Sequence, residues 1–176
     1  MKLREATPDD ADAIRGLHES AFPESERHLV SRLAVDLLAE ASAPPVLSLV
    51  SEAGGTLVGH VAFSPVWDRA TDQPLGYLLA PLAVSPDFQK RGIGTQLIES
   101  GIAQLTALGP GILLVYGDPR YYSRFGFRPD TAAPYLPPYP LQYPFGWQGL
   151  ALGDASAPAS PVDLACVSSL RIPTLW

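Results

Sequence analysis

Between Leu78 and Glu99 the chain reads LLAPLAVSPDFQKRGIGTQLIE. An apolar, strand-like run passes through the turn residues Ser85, Pro86 and Asp87. It continues into Gln89, Lys90, Arg91, Gly92, Ile93 and Gly94, where an amphipathic helix begins. A strand delivered through a glycine-bearing loop onto a helix N-terminus builds an anion site. The first N–H groups of the helix have no partner within it, and the helix dipole favours negative charge there. Gly92 and Gly94 let an oxygen ligand approach the backbone with no Cβ in the way. Lys90 and Arg91 add positive charge beside it. Two phosphate loops are excluded. A Walker loop needs a Lys directly after its second glycine, and none stands there. A dinucleotide fingerprint needs a third glycine where this chain has Leu97, and a strand running straight into the first.

The rest of the chain is consistent with a mixed α/β layout around one central sheet. Lys2 to Ala6 reads as a short strand, with Thr7, Pro8 and Asp10 as a helix start. Ala13, Ile14, Leu17 and Ala21 recur at helical spacing, and Phe22-Pro23 ends that helix. A second helix is expected from about Ser25 to Ala41. Val46–Glu52 and Thr56–Val66 form a hairpin around Ala53, Gly54 and Gly55, and Trp67–Leu75 is a polar loop. Leu97, Ile98, Ile102, Leu105 and Leu108 mark a third helix, stopped by Gly109, Pro110 and Gly111. Ile112 to Tyr116 is apolar throughout, as a central strand should be. Beyond Arg128 the chain is rich in proline and tyrosine. Its aromatics and later apolar runs predict an irregular crossing followed by two strands, Gly146–Leu152 and Val162–Leu170, joined by a turn over Gly153–Pro161.

With 176 residues the chain is expected to form one domain with a sizeable core. A net charge of -6 and a pI of about 4.9 argue against a nucleic-acid-binding face. The single cysteine, Cys166, leaves no internal disulfide. No run is apolar enough to span a bilayer, and MKLREATPDD has no signal-peptide core, so a cytoplasmic location is expected.

Gln89-x-x-Gly92-x-Gly94, preceded by Leu82-Ala83-Val84-Ser85-Pro86, resembles the acyl-CoA loop of the GNAT superfamily of N-acyltransferases. The segment YYSRFGF resembles the second signature of that family, Tyr-x-x-x-Gly-Phe, with Tyr122, Gly126 and Phe127 at the matching positions. The resemblance is specific in Leu78–Glu99 and Ile112–Phe127. It implies a mixed, mostly antiparallel sheet with a splayed pair of central strands, flanked by helices. One domain over 1–176 follows, with 1–128 family-like and 129–176 a Pro/Tyr-rich loop and C-terminal strands.

The resemblance also implies an acyl-CoA substrate, acetyl-CoA being the expected donor. Its pyrophosphate would lie on the loop formed by Gln89, Lys90, Arg91, Gly92, Ile93, Gly94 and Thr95. Backbone groups of Leu82, Ala83 and Val84 would meet the pantetheine arm in the gap between the splayed strands. Pro81, which gives nothing to a strand ladder, fits a bulge there. Tyr122 would protonate the leaving thiolate, with the adjacent Tyr121 as the other register. Some relatives carry a basic Glu on the central strand. This chain has Ala80, Pro81, Leu82 and Ala83 there. Glu24, Glu26, His60 and Asp118 remain candidate bases beside a water relay, His60 by virtue of its pKa range. No residue cluster has metal-ligand spacing, and neither Ser64 nor Cys166 has the setting of an activated nucleophile. The acceptor is then a primary amine of a small molecule or peptide, attacked in a ternary complex. Nucleic acid and membrane are not expected as partners, and a homo-oligomer is allowed. Its specificity is expected from the first two helices, the Trp67–Leu75 loop and the tail. A catalytically silent acyl-CoA-binding module on the same fold is the second reading.

Overall fold

The computed structural model describes residues 1–176. In chain order the elements are β1 (Lys2–Glu5), α1 (Ala11–Ala21), α2 (Glu24–Ala39), β2 (Leu47–Ala53), β3 (Thr56–Asp68) and β4 (Pro74–Val84). There follow α3 (Ile93–Ala107), β5 (Gly111–Tyr116), α4 (Pro119–Tyr122), α5 (Pro129–Ala132), β6 (Tyr135–Leu136), β7 (Trp147–Leu152) and β8 (Val162–Cys166). The main sheet runs β1-β2-β3-β4-β5-β7. Every neighbouring pair is antiparallel except β4 and β5, which are parallel and joined through α3. β8 pairs antiparallel with the far end of β3 and parallel with β6.

Alternation along the strands sends side chains to two faces. Val61, Phe63, Leu79, Leu113 and Val115 pack beneath Ile93, Leu97, Ile98 and Leu105 of α3. Ala62, Val66, Leu78, Ile112 and Leu114 pack beneath Leu33 and Leu37 of α2, with Tyr135, Trp147 and Trp176 of the tail. The proline- and tyrosine-rich tail is therefore part of the second core. Each fully buried large apolar side chain here is worth roughly 1.5–3 kcal/mol. Glu40, just after α2, ties down the chain beyond β8. Its carboxylate accepts from the Ser168 N–H at 3.1 Å, from the Ser168 hydroxyl at 2.7 Å and from the Ser169 hydroxyl.

The boundaries differ from the sequence expectations in physically simple ways. A 3-10 turn, Pro8–Asp10, precedes α1, with the Asp10 carboxylate accepting from the Thr7 N–H at 2.7 Å. Ala13 is exposed, and the buried stripe of α1 is Ile14, Leu17 and His18. β3 runs on to Asp68 because β8 pairs with its last residues. β8 itself ends at Cys166, where Ser168–Leu170 turns. No helix is long and apolar enough to cross a membrane.

Candidate active site

The site starts from a break in the sheet. β4 and β5 pair from Gly76–Ile112 to Leu79–Val115 and no further. On its other side β4 keeps pairing with β3, Leu82 against Val61 and Val84 against Gly59. Two residues, Ala80 and Pro81, lie opposite the single Ala62, which is a bulge. Pro81 donates no ladder bond and so suits the place where β4 turns away from β5. From Leu82 to Val84 the backbone groups facing β5 have no strand partner.

One side of this wedge opens on a cavity of about 540 Å³. It is lined by Leu82 and Val84, by Gln89, Lys90, Gly92, Ile93, Gly94 and Thr95, and by Tyr121 and Arg124. Gly92 is the N-cap of α3 at φ 82°, a left-handed conformation that favours glycine, and no side chain caps the helix. The first intrahelical bond runs from the Gln96 N–H to the Gly92 carbonyl at 3.0 Å. The N–H groups of Ile93, Gly94 and Thr95 therefore face the cavity without a helical partner. At Gly94 an added Cβ would lie 2.7 Å from the Tyr121 hydroxyl. That phenol thus reaches the helix N-terminus only because residue 94 has no side chain.

Most of the expected loop residues converge here, though not all by their side chains. The Gln89 amide donates to the Val84 carbonyl at 3.2 Å and fastens the loop to the end of β4. Ile93 is 2% exposed and packs in the core under α3, so its N–H alone faces the cavity. Ala83 pairs across from His60 and is likewise buried, leaving only its backbone to the wedge. The Arg91 guanidinium stacks over Phe88, 5.0 Å from the ring centroid, and does not line the cavity. The lining cation beside Lys90 is Arg124, whose guanidinium lies over the Tyr121 ring at 4.7 Å. Its signal in the sequence is the spacing of three from Tyr121, which places both on one helical face.

Beyond Leu82 lies a second, apolar chamber of about 340 Å³. Ala80, Pro81, Leu82 and Tyr122 border it, with Phe22, Val30, Leu33, Leu170 and Leu175 around them. Consecutive tyrosines of α4 thus face different spaces, Tyr121 the loop cavity and Tyr122 the chamber at the bulge. The Tyr122 ring meets Tyr121 and Phe127 edge-on, with centroids 5.0 and 5.8 Å away. Burial, and to a lesser degree the neighbouring Tyr121, pushes its pKa well above the ordinary phenol value. The hydroxyl stays protonated throughout the neutral range.

The chamber widens into an outer cavity of about 790 Å³. The two share Tyr116, Gly117, Asp118, Leu175 and Trp176, and Glu26, Arg120, Gln142, Tyr143 and Phe145 line the outer one. Of the candidate bases, Glu26 and Asp118 stand here and Glu24 does not. Asp118 caps α4, accepting from the Arg120 N–H at 2.9 Å, and the Arg120 guanidinium sits 3.1 Å from it. These bonds from Arg120 hold its pKa below the usual carboxylate value.

His60 is not a base for this site. It is fully buried on the α1 side of the sheet, with Nδ1 2.8 Å from His18 Nε2 and Nε2 2.8 Å from Ser48 Oγ. Burial first, and the neighbouring His18 second, lower its pKa to about 3. The expected Trp67–Leu75 loop also stands apart from these cavities. Its Arg69 N–H donates to the Asp163 carbonyl at 2.8 Å beside β8. Phe22, Leu175 and Trp176 complete the site from regions with no local motif, so only the folded chain brings them together.

A sequence profile of the acetyltransferase (GNAT) family matches residues 11–127. The chain is 40% identical over 138 residues to the uncharacterized N-acetyltransferase YjhQ of Escherichia coli, covering 75% of this chain and 72% of that one. It is 36% identical over 130 residues to the uncharacterized N-acetyltransferase YhbS of the same organism, covering 72% and 73%. The crystal structure of E. coli YhbS in complex with CoA superposes with a TM-score of 0.82 at 26% identity, over 97% of this chain and 92% of that one. A GNAT acetyltransferase from Brucella melitensis in complex with acetyl-CoA gives a TM-score of 0.69 at 31% identity, over 97% of both chains. The wedge between β4 and β5, the uncapped loop–helix junction and the match over 11–127 agree: the chain belongs to the GNAT family of acetyltransferases.

Proposed function

We propose that the protein transfers an acetyl group from acetyl-CoA to a primary amine by direct attack. One observation carries this. The wedge between β4 and β5 has an anion cradle on one side and an apolar chamber on the other, with Leu82 bordering both and Tyr122 in the chamber.

The residues fit coenzyme A. A helix N-terminus without a side-chain cap, three unpartnered N–H groups and the cations Lys90 and Arg124 suit a pyrophosphate. The β5-facing backbone of Leu82, Ala83 and Val84 suits the amides of a pantetheine arm, which would take the place of the missing strand partner. When bound, acetyl-CoA supplies the thioester carbonyl that the amine attacks. Tyr122 then donates a hydrogen bond to the departing sulfur. The acceptor comes through the outer cavity, where Glu26 is the carboxylate without an ion-pair partner and Asp118 is held by Arg120. Glu26 or a water next to it takes the amine proton. Loss of solvent in the apolar chamber favours the neutral, nucleophilic amine.

Free-thiol release from acetyl-CoA, with mass detection of the acylated product, tests this. Release that depends on added amine and yields an amide is expected. Coenzyme A binding with no thiol release from any amine would support the silent module instead.

A further inference from the structure

The outer cavity has a composition unlike a site for a polyamine or an amino sugar. It offers rings and very little free charge. Asp118 is matched by Arg120 at 3.1 Å, which leaves Glu26 as the unpaired acidic side chain. Four aromatic residues line the space, Tyr116, Tyr143, Phe145 and Trp176. Tyr143 is 53% and Phe145 68% exposed, and their ring centroids stand 5.9 Å apart at the mouth. The other large exposed apolar side chains, Met1, Leu108 and Leu136, line neither this cavity nor the inner chamber. Exposed rings grouped at the mouth of a cavity are the kind of apolar patch that marks a binding surface.

This aromatic mouth is anchored. The Tyr143 N–H donates to the Tyr116 hydroxyl at 2.7 Å, and the Gly117 N–H donates to the Gly146 carbonyl at 3.0 Å. On the opposite wall the Trp176 indole N–H donates to the Leu170 carbonyl at 3.0 Å. These bonds fix the rings of Tyr116 and Trp176 and the backbone that carries Tyr143 and Phe145 before a ligand arrives, which lowers the entropy cost of binding. Further in, toward Tyr122, the walls are apolar. A second charged group or a row of hydroxyls close to the reacting nitrogen would be left there without partners, at a cost that excludes it.

We infer that the acceptor is a monoamine with a flat apolar body, an arylalkylamine in chemical class, held between the rings of Tyr143, Phe145 and Trp176 with Glu26 facing its charge. The inference rests on the acyl-transfer reading above and deepens it. The protonated amine is met in the outer cavity by ring faces and one carboxylate. It gives its first proton to Glu26 or an adjacent water on passing inward. Its nitrogen then bonds to the thioester carbonyl carbon as the carbon–sulfur bond breaks. The second amine proton leaves to water or Glu26, the thiolate takes a proton, and the products are an N-acetyl amide and coenzyme A.

Initial rates of thiol release from acetyl-CoA with phenethylamine, tryptamine, spermidine, a lysine-containing peptide and an aminoglycoside test the class. The two arylalkylamines are expected to give the highest kcat/KM. Phe145→Ala should raise their KM about two- to twelvefold, the range of a lost ring–ring contact. Glu26→Gln, on an exposed helical surface, should lower kcat/KM for the same amines. Both side chains are exposed, so both variants should fold, and the melting shift given by coenzyme A should persist in each. Higher kcat/KM for spermidine, the peptide or the aminoglycoside overturns the inference and leaves acyl transfer standing. Unchanged KM in Phe145→Ala also overturns it. Absence of release with every amine defeats the acyl-transfer reading itself.

Discussion

Tyr122 and Tyr121 are neighbours in sequence, and the structure separates them by what they face. Tyr122 borders the chamber at the bulge, and Tyr121 reaches the N-terminus of α3. Because burial raises the Tyr122 pKa, it is a weaker acid than the thiol that must leave. An ordinary phenol near 10 against a thiol near 8.5 already makes full proton transfer uphill by about 2 kcal/mol. A hydrogen bond to the departing sulfur is therefore the sufficient role. Tyr122→Phe should lower turnover at least about tenfold, below the usual range for a positioned acid, because only a hydrogen bond is lost. The melting shift given by coenzyme A should be kept. Tyr121→Phe should act mainly on coenzyme A affinity. Steady-state rates and melting curves of the two variants decide between them, and full turnover in Tyr122→Phe would remove its role.

The buried histidines make a separate residue-scale prediction. Burial lowers the pKa of His18 to about 4, and burial with the nearby His18 charge lowers that of His60 to about 3. Both folded values lie below the unfolded value near 6.5. Their neutral forms thus contribute stability that is fully present above about pH 6.5 and is lost as the pH falls toward 4 and 3. At pH 5 either ring taken alone would withdraw about 2 kcal/mol. The melting temperature should fall between pH 7.5 and 5, and less steeply in a His18→Gln, His60→Gln double variant. The pH dependence of acyl transfer should not follow His60.

At the scale of elements, the sequence showed most where local pattern and tertiary role coincide. The loop Gln89–Gly94, the apolar β5 and the Gly54–Gly55 hairpin were legible because each carries its own backbone chemistry, such as φ of 58° and 80° at the two hairpin glycines. The His60 and Trp67–Leu75 assignments failed for the opposite reason. Alternation placed His60 on a face without saying that α1 would cover it, and nothing local announced that β8 would pair with the end of β3. Arg91 leaves the cavity and Arg124, given no role by the sequence, lines it, because each guanidinium stacks on a neighbouring ring, Phe88 for one and Tyr121 for the other. The seating of α3 on the sheet gives a test free of any functional reading. A Cβ at Gly101 would lie 2.1 Å from the Phe63 ring, which is fully buried beneath the helix. Gly101→Ala should gain helix propensity but force the two elements apart, with overpacking costing about 1–3 kcal/mol. Denaturant unfolding measures it, and an unchanged midpoint would mean that α3 does not sit this close.

Across the whole molecule the site is assembled from distant stretches. Residues of α2, β4, α3 and α4 meet the Tyr143–Phe145 turn and Leu170–Trp176 around one wedge in the sheet. On the function proposed above, the part matched by the family profile supplies the anion cradle and Tyr122, and the tail joins Glu26 and Tyr116–Arg120 in walling the outer cavity that would receive the acceptor. That division explains why the donor side could be read from motifs while most of the acceptor side could not. The wedge and the uncapped start of α3 are the coenzyme A site on the function proposed above. The melting shift that coenzyme A gives to the wild type and to Gly94→Val checks this assignment. At about a hundredfold excess over its dissociation constant the ligand should add roughly 2.7 kcal/mol, or roughly 5–11 °C for a domain of this size. Gly94→Val pushes the Tyr121 hydroxyl off the helix N-terminus and obstructs the N–H groups, so its own melting curve should not move with coenzyme A. An equal shift in both proteins, or none in the wild type, would rule out this site.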